Sequence, residues 1–158
     1  MKHLYFGDGK GQNHSCCRNC RQAAGSKSSR CCFVQFLKRN FRVNAMFSHT
    51  ENVTLPPALP ISSSFQMNEK EKGLRRQNFH GILTTVTLVL TEKYDMVVFD
   101  EIIDAINAEM LTELEVVELH HQRSSSMEII MTGHNPSQKM IDLCDYVTEF
   151  KKIKHPYD

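Results

Sequence analysis

An apolar start, Leu4 to Phe6, runs directly into Gly7, Asp8, Gly9, Lys10 and Gly11. Glycines at this density let the backbone turn tightly and bring its N–H groups close to a ligand, which is how a loop joining a strand to a helix cradles phosphate. A working loop of this kind ends in Gly-Lys-Ser/Thr, where the lysine neutralises phosphate and the hydroxyl holds Mg²⁺. Here Gly11 is followed by Gln12, Asn13 and His14. The pattern restricts the fold to one in which a buried strand delivers its C-terminal end to a helix start, and leaves open whether the loop still binds a nucleotide.

At 158 residues, 41% hydrophobic and 23% charged, the chain has enough apolar content for one core, so a single domain over 1–158 is expected. Lysine plus arginine (19) nearly balance aspartate plus glutamate (18), and no general field draws the chain to nucleic acid or lipid. No run of about 18 apolar residues is available to span a bilayer, and Met1, Lys2 and His3 do not open a secretion signal, so a cytoplasmic protein is expected. Five of the six cysteines (Cys16, Cys17, Cys20, Cys31, Cys32) crowd one region, which in a reducing compartment favours metal over disulfide. Cys16, Cys17 and Cys20 contain a C-x-x-C spacing with His14 nearby, although the adjacent pair Cys31-Cys32 is a weak second half for a zinc site.

Short apolar runs at Leu4–Phe6, Phe33–Leu37, Met96–Phe99 and Glu128–Met131 read as buried parallel strands, the first two as interior ones. Helical patterns fall at Phe79–Leu90, Ile102–Met110, Glu113–Leu119 and Ser137–Leu143, the last with a cap after Pro136. Thr54–Ser64, rich in proline and serine, reads as loop, and His120 and His121 as solvated positions on a surface helix. Strands alternating with helices predict a parallel α/β sheet, in which ligands bind beyond the carboxyl ends of the strands. The loop from Gly7 and the pair Asp100-Glu101 would both emerge there. Asp100 suits either a magnesium ligand or the cap of the following helix.

The segments GDGKG, FVQFLK, KYDMVVFDEI, EIIMTGHNP and DLCDYVTEFKKIKHPYD, in this order, closely resemble the ATP:corrinoid adenosyltransferases of the cob(I)alamin and cob(I)yrinic acid a,c-diamide type, a P-loop family. The resemblance implies a P-loop NTPase-like three-layer α/β fold with a mainly parallel sheet flanked by helices. It implies transfer of the 5′-deoxyadenosyl group of ATP to Co(I) of a reduced corrinoid, with Mg²⁺ or Mn²⁺ at the phosphates, a homodimer, and a flavoprotein as reductant. Gly7, Asp8, Gly9, Lys10, Gly11, Gln12 and Asn13 then line the triphosphate, and Asp100 and Glu101 act at the metal and substrate, with Asn13 as a second metal position. Thr132, Gly133 and Asn135 form a loop beside the site, and Phe65 faces the corrinoid. His134 stands where many family members carry arginine, and by the resemblance the family's further basic C-terminal segment is expected to be absent after Asp158.

The chain departs from the family at Gln12–Arg21, where Lys-Thr-Thr and a small-residue helix are expected, and this stretch offers no evident apolar helical face. A neutral amide cannot replace the lysine charge, which makes an impaired or inactive relative one reading and a zinc-binding interaction protein another. A frame slip gives a common origin for the departures. Codons can be written for Gln12–Arg21 that, started one base later, give Lys-Thr-Thr-Ala-Ala-Val-Gly-Thr-Ala. Similar shifts give Val-Leu before Phe33, and Asn-Phe-Ile-Thr-Asn-Ala across Glu118–Ser124.

Overall fold

The computed structural model describes residues 1–8, 11–25, 29–36, 45–56, 73, 77, 81, 83–84, 87, 94–123 and 125–154, with the backbone alone at 11–14, 24 and 122. The elements run β1 (Lys2–Gly7), α1 (Gly11–Gly25), β2 (Cys31–Gln35), β3 (Val53–Thr54), β4 (Met96–Asp100), α2 (Ile102–Asn107), α3 (Glu113–Gln122), β5 (Glu128–Gly133), α4 (Gln138–Asp142) and β6 (Tyr146–Phe150). The strands form one sheet in the order β3-β2-β4-β5-β1-β6, and every pairing is parallel. All strand C-termini therefore lie on one rim. The four apolar runs are all strands and all interior, with β4 and β5 at the centre.

Period-two alternation sorts the sheet's side chains into two cores. Val97 and Phe99 of β4 join Leu4, Cys32, Val34, Ile129 and Met131, and this face packs against Ile102, Ile103 and Ala105 of α2, Val116 and Leu119 of α3, and Met140 of α4. Met96 and Val98 point the other way and join Cys31, Phe33 and Ile130 beneath Cys16, Cys17 and Cys20 of α1. Helices thus cover both faces of a parallel sheet, which explains why β4 is buried along its whole length.

α1 corrects the expectation that Gln12–Arg21 lacks an apolar face. Cys16, Cys17 and Cys20 sit one turn apart and supply that face as small apolar side chains, while Arg18 and Arg21 are exposed. Cys20 and Cys31 form a disulfide between α1 and β2, their Cα atoms 6.1 Å apart, where metal had been favoured over disulfide. Among the described residues no group of three or more His, Cys, Asp or Glu is arranged to hold a metal ion. A hydrogen bond with Cys17, burial and the nearby Asp100 charge all push the Cys16 thiol up, away from the thiolate that a metal would need.

The later helices start where their caps dictate. Thr112 and Glu115 form a reciprocal capping box at α3, the Thr112 N–H donating to Glu115 Oε2 (2.7 Å) and the Glu115 N–H to Thr112 Oγ1 (3.2 Å). Ser137 caps α4 by accepting from the Met140 N–H (3.3 Å). In the predicted Phe79–Leu90 helix, Gly81, Leu83, Thr84 and Thr87 are helical and the other positions lie outside the described residues, as do 57–64 of the expected loop. Thr54, at the start of that loop, instead ends β3.

β6 and β3 were not foreseen. β6 is an edge strand whose side chains are largely exposed, Tyr146 and Val147 among them, so it shows no apolar run. Its place beside β1 is set by backbone pairing from His3↔Tyr146 to Gly7↔Phe150.

His120 corrects the solvated reading: it is 6% exposed, and neither ring nitrogen has a partner among the described residues. Burial, then the nearby Lys2 and Arg123 charges, lower its pKa to about 4. The unfolded chain therefore takes up a proton that the fold refuses, and stability falls as pH drops from the ordinary histidine value of 6.5 towards 4. His120→Ile is expected to raise stability by about 1–3 kcal/mol at pH 5 and to flatten that acid limb, as read from thermal melts across pH 4–8. Unchanged melts would mean that the ring is not held neutral.

Candidate functional site

The alternation that buries Met96 and Val98 under α1 also turns Asp100 to that face. On the flanking strands Gln35 continues the row of Cys31 and Phe33, and Thr132 that of Ile130. At the C-terminal rim the apolar core beneath α1 is thus topped by a polar row, Gln35–Asp100–Thr132. Asp100 is 4% exposed. Thr132 Oγ1 donates to its Oδ1 (3.0 Å) and accepts from the Glu101 N–H (2.9 Å). One hydroxyl thus ties the ends of β4 and β5 together.

Burial raises the Asp100 carboxyl to about 6, while the Thr132 bond and the nearby Gln35 amide draw it down and the Asp104 charge pushes it up. The Gln35 contribution reflects proximity, because its Nε2 makes no bond of standard geometry among the described residues. A buried carboxylate with one hydroxyl donor and, among the described residues, no paired cation favours either a proton or a bound cation.

Glu101, not Asp100, is the N-cap residue of α2, and it caps without a side-chain bond, in the left-handed region at φ 61°. This strained turn swings α2 across the rim. Asn107 Nδ2 then donates to the backbone oxygen of His134 (2.8 Å), and Asp104 Oδ1 meets His134 Nδ1 (2.9 Å). Gly133, at φ 150°, makes the approach possible: a Cβ there would stand 2.6 Å from Ile103 Cβ and 2.8 Å from Asp104 Oδ2. Asn135 follows with φ 47°.

β1 ends at the same rim. Its Tyr5 pairs with Thr132 and its Phe6 with Gly133. Gly7, at φ 128°, is required because a Cβ would strike the backbone of Phe150 in β6. Asp8 Oδ1 accepts from the Lys152 N–H (2.9 Å), a bond that holds its carboxyl below the usual range. Gly11 opens α1. Gly9, Lys10 and Phe65 lie outside the described residues, and Gln12 and Asn13 are described as α1 backbone only. Of the predicted site residues, Gly7, Asp8, Gly11, Asp100, Glu101, Thr132, Gly133 and Asn135 share one rim. Asp104 and Asn107 were missed; on a short helix their spacing carried no motif.

A glycine-rich segment between β1 and α1, an acid at the end of β4 and a parallel sheet covered on both faces define a P-loop-type α/β protein. The fold resembles that of the KaiC-like protein PH0186 from Pyrococcus horikoshii OT3, with a TM-score of 0.57 over 98% of this chain and 74% of that one, at 12% identity. The model of the family "ATP:corrinoid adenosyltransferase BtuR/CobO/CobP" matches residues 1–158, and the chain belongs to this family.

A corrinoid adenosyltransferase from Sinorhizobium sp is 34% identical over 71 residues, 44% of this chain and 33% of that protein. The corrinoid adenosyltransferase CobA of Salmonella typhimurium is 33% identical over 64 residues, 40% of this chain and 33% of its own. The aligned part spans about a third of each of these relatives. No described helix is long and apolar enough to cross a membrane.

Two outcomes follow from the rim. The fold holds a proton on Asp100 between pH 3.8 and about 6 that the unfolded chain releases, so stability is lost as pH rises through that window. Asp100→Asn should therefore stabilise the ligand-free protein at pH 7 by about 1–3 kcal/mol in denaturant titration; a destabilised variant would contradict the burial argument. Gly133→Ala should cost about 2 kcal/mol or more, from strain at positive φ and the contact with Ile103, and a neutral result would show that the loop can retreat.

Proposed function

We propose that the chain binds ATP where β1 turns into α1 and transfers its 5′-deoxyadenosyl group to the Co(I) ion of a reduced corrinoid, in cobalamin biosynthesis or salvage. Beyond family membership, the observation that supports this reading is the polar row Gln35–Asp100–Thr132 on the face covered by α1, at the rim where the glycine-rich loop begins. A Co–C bond forms as the C5′–O bond breaks, and the electron pair leaves with triphosphate. The nucleophile belongs to the substrate, so no side chain has to remove a proton. The protein's work is to align C5′, neutralise the leaving triphosphate and exclude water.

The N–H groups at the start of α1, together with Gly7, Asp8, Gly9, Lys10, Gly11, Gln12 and Asn13, take the triphosphate. Asp100 fits a divalent ion, being a hard oxygen donor buried with no paired cation among the described residues, and would hold Mg²⁺ or Mn²⁺ with Asn13 as second ligand. The ion would supply charge neutralisation at the phosphates. Glu101 orients substrate, Thr132, Gly133 and Asn135 wall the site, and Phe65 faces the corrinoid. A cytoplasmic homodimer served by a flavoprotein reductant completes the proposal.

The neutral Gln12 and the hydroxyl-free Asn13 support a second reading, a family member impaired in turnover. Substituting Gln12→Lys with Asn13→Thr separates the two. Calorimetry should show ATP·Mg²⁺ binding tightened at least about tenfold, and turnover with reduced corrinoid should rise about a hundredfold or more. Unchanged ATP affinity would remove the loop from the site.

A further inference from the structure

α1 covers one face of the sheet without a large apolar side chain. None of its 15 residues, Gly11–Gly25, is Leu, Ile, Val, Met or Phe. What it sets against Phe33, Phe47 and their neighbours is Cys16, Cys17, Cys20 and Ala23. Side chains this small bury little area, so the hydrophobic hold on α1 is weak beside that on α2 and α3, which bring isoleucines, a valine and a leucine to the other face. Asn19 adds a hydrogen bond, its Nδ2 donating to the Tyr5 hydroxyl (2.9 Å). The strongest tie is covalent: Cys20 is bonded to Cys31, and both residues are fully buried. Cys31 is fixed on its own side, because β2 there pairs with Met96 of β4 and Val53 of β3.

We propose that the Cys20–Cys31 bond is a redox-operated latch, which clamps α1 to β2 when oxidised and leaves the helix loosely docked when reduced. In a reducing compartment lasting disulfides are rare, and those that form commonly report redox state. Closing is balanced by a small-molecule disulfide such as oxidised glutathione. One cysteine thiolate attacks it, releasing a thiol and forming a mixed disulfide. The second cysteine then displaces the other thiol, so two protein thiols are oxidised as one disulfide is reduced. A dithiol reverses both steps. Because both cysteines are buried, α1 has to lift for either exchange, and the bond in turn bars that local opening, a motion that β4 and β5 do not share. α1 begins at Gly11, so the latch also governs how firmly the proposed phosphate loop is held; that consequence rests on the ATP-binding reading above, and the latch itself does not.

The test uses the full chain without nucleotide, equilibrated with oxidised glutathione or with dithiothreitol. Alkylation and peptide mapping should find Cys20 linked to Cys31 with four free cysteines in the first state, and six free cysteines in the second. Reduction should lower the melting midpoint by about 5–10 °C. It should also speed amide hydrogen exchange in α1 about tenfold or more, with little change in β4 and β5. Cys31→Ala should behave as the reduced chain in both buffers, whereas Cys144→Ala should keep the full response. The comparison of the two states in the unsubstituted chain does not depend on how the variants fold.

Equal α1 exchange in the two states, protection lost to the same degree across β4 and β5, a pairing other than Cys20–Cys31, or a response retained by Cys31→Ala would overturn the latch. Each of these would leave ATP binding, measured separately by calorimetry, as it stands.

Discussion

The rim of this protein is organised by one buried carboxylate and the single hydroxyl that serves it. Thr132 donates to Asp100 and accepts from the Glu101 N–H, so the ends of two central strands and the first turn of α2 are fixed by the same oxygen. That bond accompanies the left-handed turn at Glu101, the turn directs α2, and α2 presents Asp104 and Asn107 to the loop after β5. Deleting the hydroxyl would leave a buried carboxylate with no side-chain donor of good geometry among the described residues, which is a larger loss than one hydrogen bond. The strained turn and the buried carboxylate are tolerated here because two apolar cores pin the sheet from both sides.

Much of this was readable from residue pattern. The four apolar runs became interior strands because parallel strands covered on both faces have to be apolar throughout, and Ser137 announced its helix through local chemistry. The reading failed where a residue type carries two meanings. Cysteine was weighed as a metal ligand or a disulfide former, and its service as the small apolar face of α1 was overlooked. β6 escaped because an exposed edge strand is specified by what its backbone pairs with, not by hydropathy. His120 was placed in solvent because a ten-residue helix with a mixed face does not show which side packs inward.

Asp100 is a different case, since its chemistry was legible while its partners were not. Thr132 lies 32 positions away, and only strand order brings the two together. Likewise the Asp104–His134 pair joins a short helix to a loop that no sequence spacing connects. The shifted reading of Glu118–Ser124 would put isoleucine at position 120, an apolar residue where the structure buries an imidazole with unsatisfied nitrogens. At Cys16 and Cys20 it would give alanine, which suits the same buried face.

β1 lies between β5 and β6, pairing Lys2 with Ile129 and His3 with Tyr146. β1 therefore has no sheet partner until β5 and β6, far along the chain, have been made, and closing so long a loop is entropically slow. Nascent Leu4, Tyr5 and Phe6 wait as an unpaired apolar segment, a natural client for a chaperone. Gly7 is thus translated long before the Phe150 backbone against which it packs.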